Sequence, residues 1–159
     1  MKEKEQARIL VIDDDATVRK SLEAVLKEDG YEVDVAENGK EAISKSKSRL
    51  YNLALVDLRL PDMDGIELLT AMRDTTPKMV KIIITGYPSL EKAIEAVNRG
   101  ADGYMVKPYT MEKLLDTIKE HLQKQQEARK YSEEKVKEFI ERRAEEYESR
   151  TSAKHRSKK

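Results

Sequence analysis

The apolar residues of the chain fall into five short runs separated by longer amphipathic stretches. The runs predict β-strands over residues 8–12, 32–36, 53–56, 81–85 and 103–106. The first, third and fourth are almost continuously aliphatic, which is typical of parallel strands covered on both faces. The second and fifth are more mixed in polarity, and we expect them at the edges of the sheet.

The stretches between these runs have the three-and-four spacing of amphipathic helices. The first is predicted to end at Gly30, because glycine commonly terminates helices. Further helices are predicted over residues 40–50, 65–72, 89–99 and 111–122. Five strand–helix repeats predict an α/β fold, with a doubly wound five-stranded parallel sheet and helices on both faces.

Polar residues follow four of the five predicted strands. They are Asp13-Asp14-Asp15, Asp57, Thr85-Gly86 and Lys107-Pro108. Each feature alone is common as a helix cap or a surface turn. Because the carboxyl ends of parallel strands meet at one edge of a sheet, we expect these residues to form a single site.

The residue types at this edge suit phosphoryl transfer. Asp13, Asp14 and Asp57 would repel one another when brought together, so a cation is expected among them. Oxygen ligands without histidine or cysteine favour Mg²⁺, with Mn²⁺ as the alternative. Lys107 and Thr85 add a positive charge and a hydroxyl donor, which stabilise a transferring phosphoryl group. A carboxylate can itself be the nucleophile and form an aspartyl phosphate.

Composition and charge exclude several classes of protein. Cysteine is absent, which excludes disulfides and Cys-based zinc sites. No apolar run approaches the ~20 residues of a membrane span, and the N-terminus lacks a signal-peptide core, so we expect a cytoplasmic protein. Residues 1–122 carry 19 basic and 23 acidic residues, whereas residues 123–159 carry 12 and 8. The neutral net charge argues against a dedicated nucleic-acid-binding surface on the body.

Several motifs resemble the receiver domain of two-component response regulators, over roughly residues 6–122. They are Ile-Leu-Val-Ile-Asp-Asp-Asp at 9–15, Val18-Arg19, Ala-Leu-Val-Asp-Leu at 54–58, Pro-Asp-Met-Asp-Gly at 61–65, Ile-Thr-Gly at 84–86 and Gly-Ala-Asp-Gly-Tyr-Met-Val-Lys-Pro at 100–108. The resemblance implies a flavodoxin-like strand order 2-1-3-4-5. It also implies phosphorelay signalling, with a sensor histidine kinase or phosphotransfer protein as the partner.

The resemblance implies a role for each acidic residue. Asp57 is the phosphoacceptor and also a metal ligand. Asp14 resembles the direct Mg²⁺ ligand, and Asp13 a ligand that acts largely through water. The backbone carbonyl of Arg59 completes the set, and Asp15 lies outside it.

The other strand ends carry the phosphoryl contact and the switch that the family resemblance implies. Lys107 contacts the phosphoryl group, and its peptide bond to Pro108 is expected to be cis. Thr85 and Tyr104 resemble the family's switch pair, in which the hydroxyl moves to the phosphate and the aromatic ring turns inward. A phosphoryl group adds charge and acceptor oxygens that bias such a two-state element.

Gly86, Tyr87 and Pro108 are expected at the edge of the pocket. In the family, the positions of Arg59 and Tyr87 tune dephosphorylation, because bulky side chains hinder the attacking water. Gly86 is expected to leave the entrance open to small phosphodonors.

The C-terminal part is predicted to be a charged helical extension over residues 123–150, which lack glycine and proline. Val136, Ile140 and Tyr147 share one face, interrupted by Arg143, and form a weak coiled-coil seam. Residues 151–159 are predicted to be a disordered basic tail. A dimerising helix, a helix that docks a downstream partner, a nucleic-acid contact, a linker and a solvated extension all stay open as interpretations.

We expect a phosphoacceptor signalling domain and not an enzyme, although it promotes its own phosphorylation and dephosphorylation. A phosphatase-like hydrolase would need a second aspartate where Arg59 stands. The intact acidic, hydroxyl and lysine positions argue against a pseudo-receiver that binds partners without phosphorylation. The chain is interpreted as a stand-alone receiver or as the receiver part of a longer regulator.

Overall fold

The computed structural model describes residues 6–72 and 78–157, with side chains up to residue 152. Strands and helices alternate through the described chain. The strands are β1 Arg8–Ile12, β2 Glu32–Ala36, β3 Leu53–Asp57, β4 Val80–Thr85 and β5 Gly103–Val106. The helices are α1 Ala16–Glu28, α2 Gly39–Ser48, α3 Gly65–Ala71, α4 Leu90–Asn98 and α5 Met111–Ser157.

The five strands form one parallel sheet in the order β2-β1-β3-β4-β5. This order confirms the predicted doubly wound fold and places the two mixed strands, β2 and β5, at the edges. The strands begin and end within one residue of the prediction. Asp57 is the last residue of β3, so its side chain stands at the carboxyl edge of the sheet.

Alternating residues of the central strands pack into two cores, one on each face. The first core combines Leu10, Val56 and Ile83 with residues of α2 and α3, including Ala42, Leu68 and Leu69. The second combines Val11, Leu55 and Ile82 with residues of α1 and α5, including Leu22, Leu26, Leu114 and Ile118. Burial on both faces explains why these strands read as continuous aliphatic runs.

Short polar residues and glycines set the ends of the helices. The Asp15 side chain accepts hydrogen bonds from the backbone N–H groups of Thr17 and Val18 and so caps α1. Gly30 follows this helix with φ of 97°, in the left-handed region that glycine adopts without a Cβ clash. Helix α2 ends at Ser48, two residues before the predicted end, because Arg49 is already extended.

Residues 1–122 and 123–159 are separate compact units. Helix α5 continues to Ser157, whereas disorder is predicted from residue 151. The helix contains no glycine or proline, so nothing in the local sequence stops its backbone hydrogen bonding. Residues 158–159 of the predicted disordered tail lie outside the described residues. No described helix is long and apolar enough to cross a membrane.

Candidate functional site

Three carboxylates meet at the carboxyl edge of the sheet. Oxygen atoms of Asp13, Asp14 and Asp57 lie within 4.8 Å of one another. The register of the sheet explains this, because Ile12 of β1 is paired with Val56 of β3 and the aspartates come next. Asp13 is buried, Asp14 is exposed and Asp57 is half-buried. The structure therefore brings these three predicted site residues together.

Backbone contacts fix the orientation of Asp13. One carboxylate oxygen, Oδ1, accepts a hydrogen bond from the N–H of Asp15 at 2.9 Å. The Arg19 guanidinium donates to the Asp13 carbonyl at 2.8 Å, which ties α1 to the end of β1. Asp15 is occupied in capping α1, so it lies outside the acidic set, as expected.

Asp57 is held by the loop that follows it. Its Oδ1 accepts a hydrogen bond from the N–H of Arg59 at 3.0 Å. The loop returns so closely that a Cβ on Gly65 would lie 2.5 Å from the Asp57 carbonyl oxygen. Gly65 also donates its N–H to the Leu58 carbonyl at 2.8 Å. A side chain at residue 65 would therefore displace the backbone of the residue that carries the central carboxylate.

Lys107 brings a positive charge to the carboxylates from β5. Its Nζ lies 3.6 Å from Asp57 Oδ2 and 3.7 Å from Asp13 Oδ2. Its backbone N–H donates to the Thr85 carbonyl at 2.8 Å, and its peptide bond to Pro108 is cis, as expected. Burial lowers the pKa of Lys107, but the charges of Asp57 and Asp13 outweigh it and raise the pKa overall.

Burial and the neighbouring charges both shift the pKa of Asp13. Burial raises the pKa of this carboxyl above its usual range, and the negative charges of Asp57 and Asp14 add to the rise. The N–H of Asp15 and the ammonium of Lys107 act in the opposite direction without cancelling it. One lysine therefore leaves the three carboxylates short of positive charge.

The expected switch pair occupies adjacent strands, because Ile83 of β4 is paired with Tyr104 of β5. Thr85 is buried, and its Oγ1 accepts a hydrogen bond from the N–H of Tyr87 at 3.0 Å. Tyr104 packs against the first core, and its buried hydroxyl has no hydrogen-bond partner among the described residues. Burying a hydroxyl without a hydrogen-bond partner costs free energy.

The edge of the pocket carries a contact between two loops. The Arg59 guanidinium stacks over the Tyr87 ring, with 3.7 Å between the Arg59 Cζ and the ring centroid. Tyr87 and Pro108 are exposed there, as is Gly86, where an added Cβ would lie 4.0 Å from Lys107. Sequence reasoning placed Arg59 and Tyr87 at this edge, but it did not predict that they stack on each other.

Sequence reasoning missed the role of Asp62. Its two carboxylate oxygens accept the N–H groups of Gly39 and Lys40 at 2.9 Å each, at the N-terminus of α2. These two backbone hydrogen bonds hold the pKa of the Asp62 carboxyl below its usual range. The contact fixes the loop that carries Arg59. No local pattern signals it, because the partners lie 22 and 23 positions apart in the chain.

The residues present fit a hard divalent cation. The cluster offers carboxylate oxygens alone, which Mg²⁺ and Mn²⁺ prefer, and its negative charge exceeds what Lys107 neutralises. Asp13, Asp14 and Asp57 are the side chains that could hold it.

Comparison with known proteins gives a consistent match. The family model described as the response regulator receiver domain matches residues 9–119. The transcriptional regulatory protein ZraR of Klebsiella oxytoca is 40% identical over 118 residues, which cover 74% of this chain and 27% of ZraR. The chain thus spans about a quarter of the length of that relative.

Solved structures match over a similar part of the chain. A CheY-like receiver domain protein from Methanospirillum hungatei is 42% identical with a TM-score of 0.76, covering 78% of this chain and 99% of that one. A response regulator from Burkholderia pseudomallei, with a phosphorylated aspartic acid, a calcium ion and citrate, is 31% identical with a TM-score of 0.69. That match covers 78% of this chain and 73% of the other.

Proposed function

The chain belongs to the response regulator receiver domain family, and from this premise we propose that Asp57 accepts a phosphoryl group from a sensor histidine kinase or phosphotransfer protein. The observation that carries the proposal is the position of Asp57 at the end of β3. There its carboxylate lies 3.6 Å from the Lys107 ammonium and within 4.8 Å of the other two acidic side chains. The phosphorylated aspartic acid of the Burkholderia relative is a precedent for this chemistry.

The transfer is a displacement at phosphorus. An oxygen of the Asp57 carboxylate forms a bond to phosphorus, while the bond from phosphorus to the donor's histidine nitrogen breaks. The electron pair of that bond stays on the nitrogen, which leaves as a neutral imidazole after taking up a proton. Lys107 offsets charge on the phosphoryl oxygens as the transfer proceeds. Water later attacks the same phosphorus, the bond from phosphorus to the Asp57 oxygen breaks, and inorganic phosphate leaves while the carboxylate is restored.

A divalent cation, Mg²⁺ or Mn²⁺, would be held by Asp13, Asp14, Asp57 and the backbone carbonyl of Arg59. It supplies neutralisation of the phosphoryl and carboxylate charges when bound. Asp13 is oriented for this role by the N–H of Asp15, and the loop bearing Arg59 is held by Asp62.

Signalling follows from a change in the hydrogen bonding of Thr85. In the structure its hydroxyl oxygen accepts from the N–H of Tyr87. A phosphoryl oxygen on Asp57 gives this hydroxyl a charged acceptor, and charge-assisted hydrogen bonds are stronger than neutral ones. Movement of Thr85 releases the β4–α4 loop, and Tyr104 turns further into the space beside β4. The new positions of Tyr104 and of the β4–α4 loop then favour a second conformation of α4.

The surface that changes is the apolar face of α4 with the neighbouring edge strand. Leu90, Ile94 and Val97 of α4 are 78%, 53% and 61% exposed, and Val106 of β5 is 42% exposed. Exposed apolar groups of this kind mark interaction sites. A downstream protein partner would bind this surface in one phosphorylation state and leave it in the other.

Intact-mass measurement tests the phosphoacceptor directly. The protein is incubated with Mg²⁺ and acetyl phosphate, alongside Asp57→Asn and the matched control Asp116→Asn, which changes an exposed aspartate of α5. We expect one phosphoryl adduct on the wild type and on Asp116→Asn, none on Asp57→Asn, and none on any protein when a chelator replaces Mg²⁺. An equal adduct on Asp57→Asn, or no adduct on the wild type, would overturn the proposal.

A further inference from the structure

One face of α5 beyond residue 122 carries a regular seam. Its residues follow alternating spacings of three and four, which is the pattern that a paired helix presents to its neighbour. They are Gln126, Arg129, Glu133, Val136, Ile140, Arg143, Tyr147 and Arg150. All of these positions lie within the single helix Met111–Ser157.

The apolar members of this seam are open to solvent in the C-terminal unit. Val136, Ile140 and Tyr147 are 58%, 60% and 73% exposed, and Phe139 beside them is 59% exposed. Val136 and Ile140 line a shallow apolar depression together with Glu133. Burying such side chains against a second surface removes apolar area from water, which is favourable.

The charges of the seam determine in which orientation a second helix of the same sequence can pack on it. In a parallel pair of identical helices each seam residue faces its own copy. Glu133 would then face Glu133, Arg143 would face Arg143, and Arg129 would face Arg129. Arg150 would also face Arg150. Like charges placed opposite each other are destabilising, so a parallel pair would repel at four of the eight seam layers.

An antiparallel pair of the same helices has matching charges. When Val136 packs on Ile140 of the second copy, the same register places Glu133 opposite Arg143. It also places Arg129 opposite Tyr147, where the guanidinium can lie over the ring. The arrangement is two-fold symmetric, so every favourable contact occurs twice.

We infer that this face of α5, from Gln126 to Arg150, binds a second copy of the chain in antiparallel orientation. Charge complementarity identifies the occupant. Two copies of this face place like charges opposite each other when they are parallel, and opposite charges when they are antiparallel. Within one chain Glu133 is already 3.4 Å from Arg129, and Arg143 is 3.9 Å from Glu146. The contact between chains gives Glu133 and Arg143 a second partner of opposite charge. The inference does not depend on phosphorylation of Asp57.

Cysteine cross-linking measures the orientation, because the chain contains no native cysteine. Full-length Gln126→Cys and Arg150→Cys proteins are mixed and oxidised, and the dimers are identified by intact mass. These positions are about 36 Å apart along the helix, so a disulfide between them needs an antiparallel partner. We expect the mixed disulfide to dominate both homodisulfides, and Glu138→Cys, on the opposite side of the helix, to cross-link little. Dominant homodisulfides, or equal cross-linking of Glu138→Cys, would overturn the inference.

Charge reversal measures the specificity in the same full-length protein. Glu133→Arg and Arg143→Glu should each weaken dimerisation at least about tenfold in sedimentation experiments, because each creates like-charge pairs. The double variant should recover the wild-type association, since the pairs are restored with their signs exchanged. The double variant does not restore the pairs within each chain, so recovery reports contacts between chains. Glu138→Arg serves as the control of equal charge change. No dimer in the wild type, or no recovery in the double variant, would overturn the inference.

Discussion

At the scale of single residues, the site carries a small excess of negative charge. Three carboxylates face one lysine. Burial raises the pKa of Asp13 and the neighbouring carboxylates add to the rise, while Asp57 and Asp13 raise the pKa of Lys107 against its burial. The excess serves phosphoryl transfer in two ways. It favours the binding of a divalent cation, and it places the Asp57 carboxylate 3.6 Å from the ammonium of Lys107.

Lys107→Gln separates the two roles of this charge. Removal of the ammonium leaves the carboxylates less compensated, so we expect tighter binding of Mg²⁺ by isothermal titration calorimetry. The same change removes a donor to the phosphoryl oxygens, so uptake of phosphate from acetyl phosphate should slow by at least about tenfold.

The matched control for this prediction is Lys113→Gln, which alters an exposed lysine of α5. It should change neither the affinity for Mg²⁺ nor the rate of phosphate uptake. Weaker Mg²⁺ binding in Lys107→Gln would contradict the electrostatic account of the site.

Asp13→Asn tests the electrostatic strain of the metal-free site. Because burial and the neighbouring carboxylates raise the pKa of Asp13, the folded state binds this proton more tightly than the unfolded state does. Ionised Asp13 therefore destabilises the fold above its raised pKa, and this cost disappears as the pH falls towards the ordinary value of 3.8. In chelator, Asp13→Asn should raise the free energy of unfolding at pH 7 by about 1 kcal/mol.

Denaturant unfolding at several pH values measures this effect. The stabilisation should be constant above the raised pKa of Asp13 and should shrink as the pH falls from that pKa towards the ordinary value of 3.8. Added Mg²⁺ should stabilise the wild type more than Asp13→Asn, because ligands stabilise the state that binds them. A variant that is less stable than the wild type at pH 7 in chelator would show that the Asp13 charge is not a source of strain.

The residues that meet at the strand ends could be predicted from the sequence, but the contacts between loops could not. Asp57 and Lys107 each follow an aliphatic strand, and parallel strands bring their ends together whatever the loops do. The contact of Asp62 with α2 and the stack of Arg59 on Tyr87 join separate loops instead. Their partners become neighbours only after the sheet has formed, so spacing in the sequence carries no sign of them.

Helix α4 stands out at the scale of secondary-structure elements. Its apolar spacing predicts a helix that packs on the sheet, and the helix is present over Leu90–Asn98. Yet Ala96 is the residue of this helix that is buried, while Leu90, Ile94 and Val97 face solvent. Hydrophobic spacing identifies a helix but cannot tell whether its apolar side meets the core or a partner.

A helix with one buried residue should open more readily than its neighbours. The Ser89 hydroxyl caps α4 by accepting the N–H of Lys92 at 3.1 Å. Ser89→Ala should lower the stability of helix α4 by about 1 kcal/mol. We expect the loss to appear as faster hydrogen exchange over residues 90–98, with the exchange of α1 unchanged.

Ser44→Ala provides the comparison, because Ser44 is an exposed serine within α2 and not a cap. It should leave the exchange of α4 unchanged. Equal exchange of α4 in Ser89→Ala and the wild type would argue against α4 as the element of low stability.

The whole molecule combines a unit that is specified strongly by its sequence with one that is specified weakly. In residues 1–122 the aliphatic runs, the strand ends and the helix caps all predict the same α/β fold. In residues 123–159 the composition predicts both a helix and disorder, and the structure carries the helix through Ser157. The absence of helix breakers decided the structure there, although few apolar residues stabilise it.

Chemical trapping of the acyl phosphate tests the central claim most directly. Sodium borohydride reduces an aspartyl phosphate to homoserine and releases phosphate, and peptide mass spectrometry then locates the changed residue. After incubation with acetyl phosphate and Mg²⁺, we predict homoserine at position 57 and none at positions 13, 14 or 15. Homoserine at one of those neighbouring aspartates, or unmodified aspartate at position 57 in protein that has gained a phosphoryl group, would contradict the account.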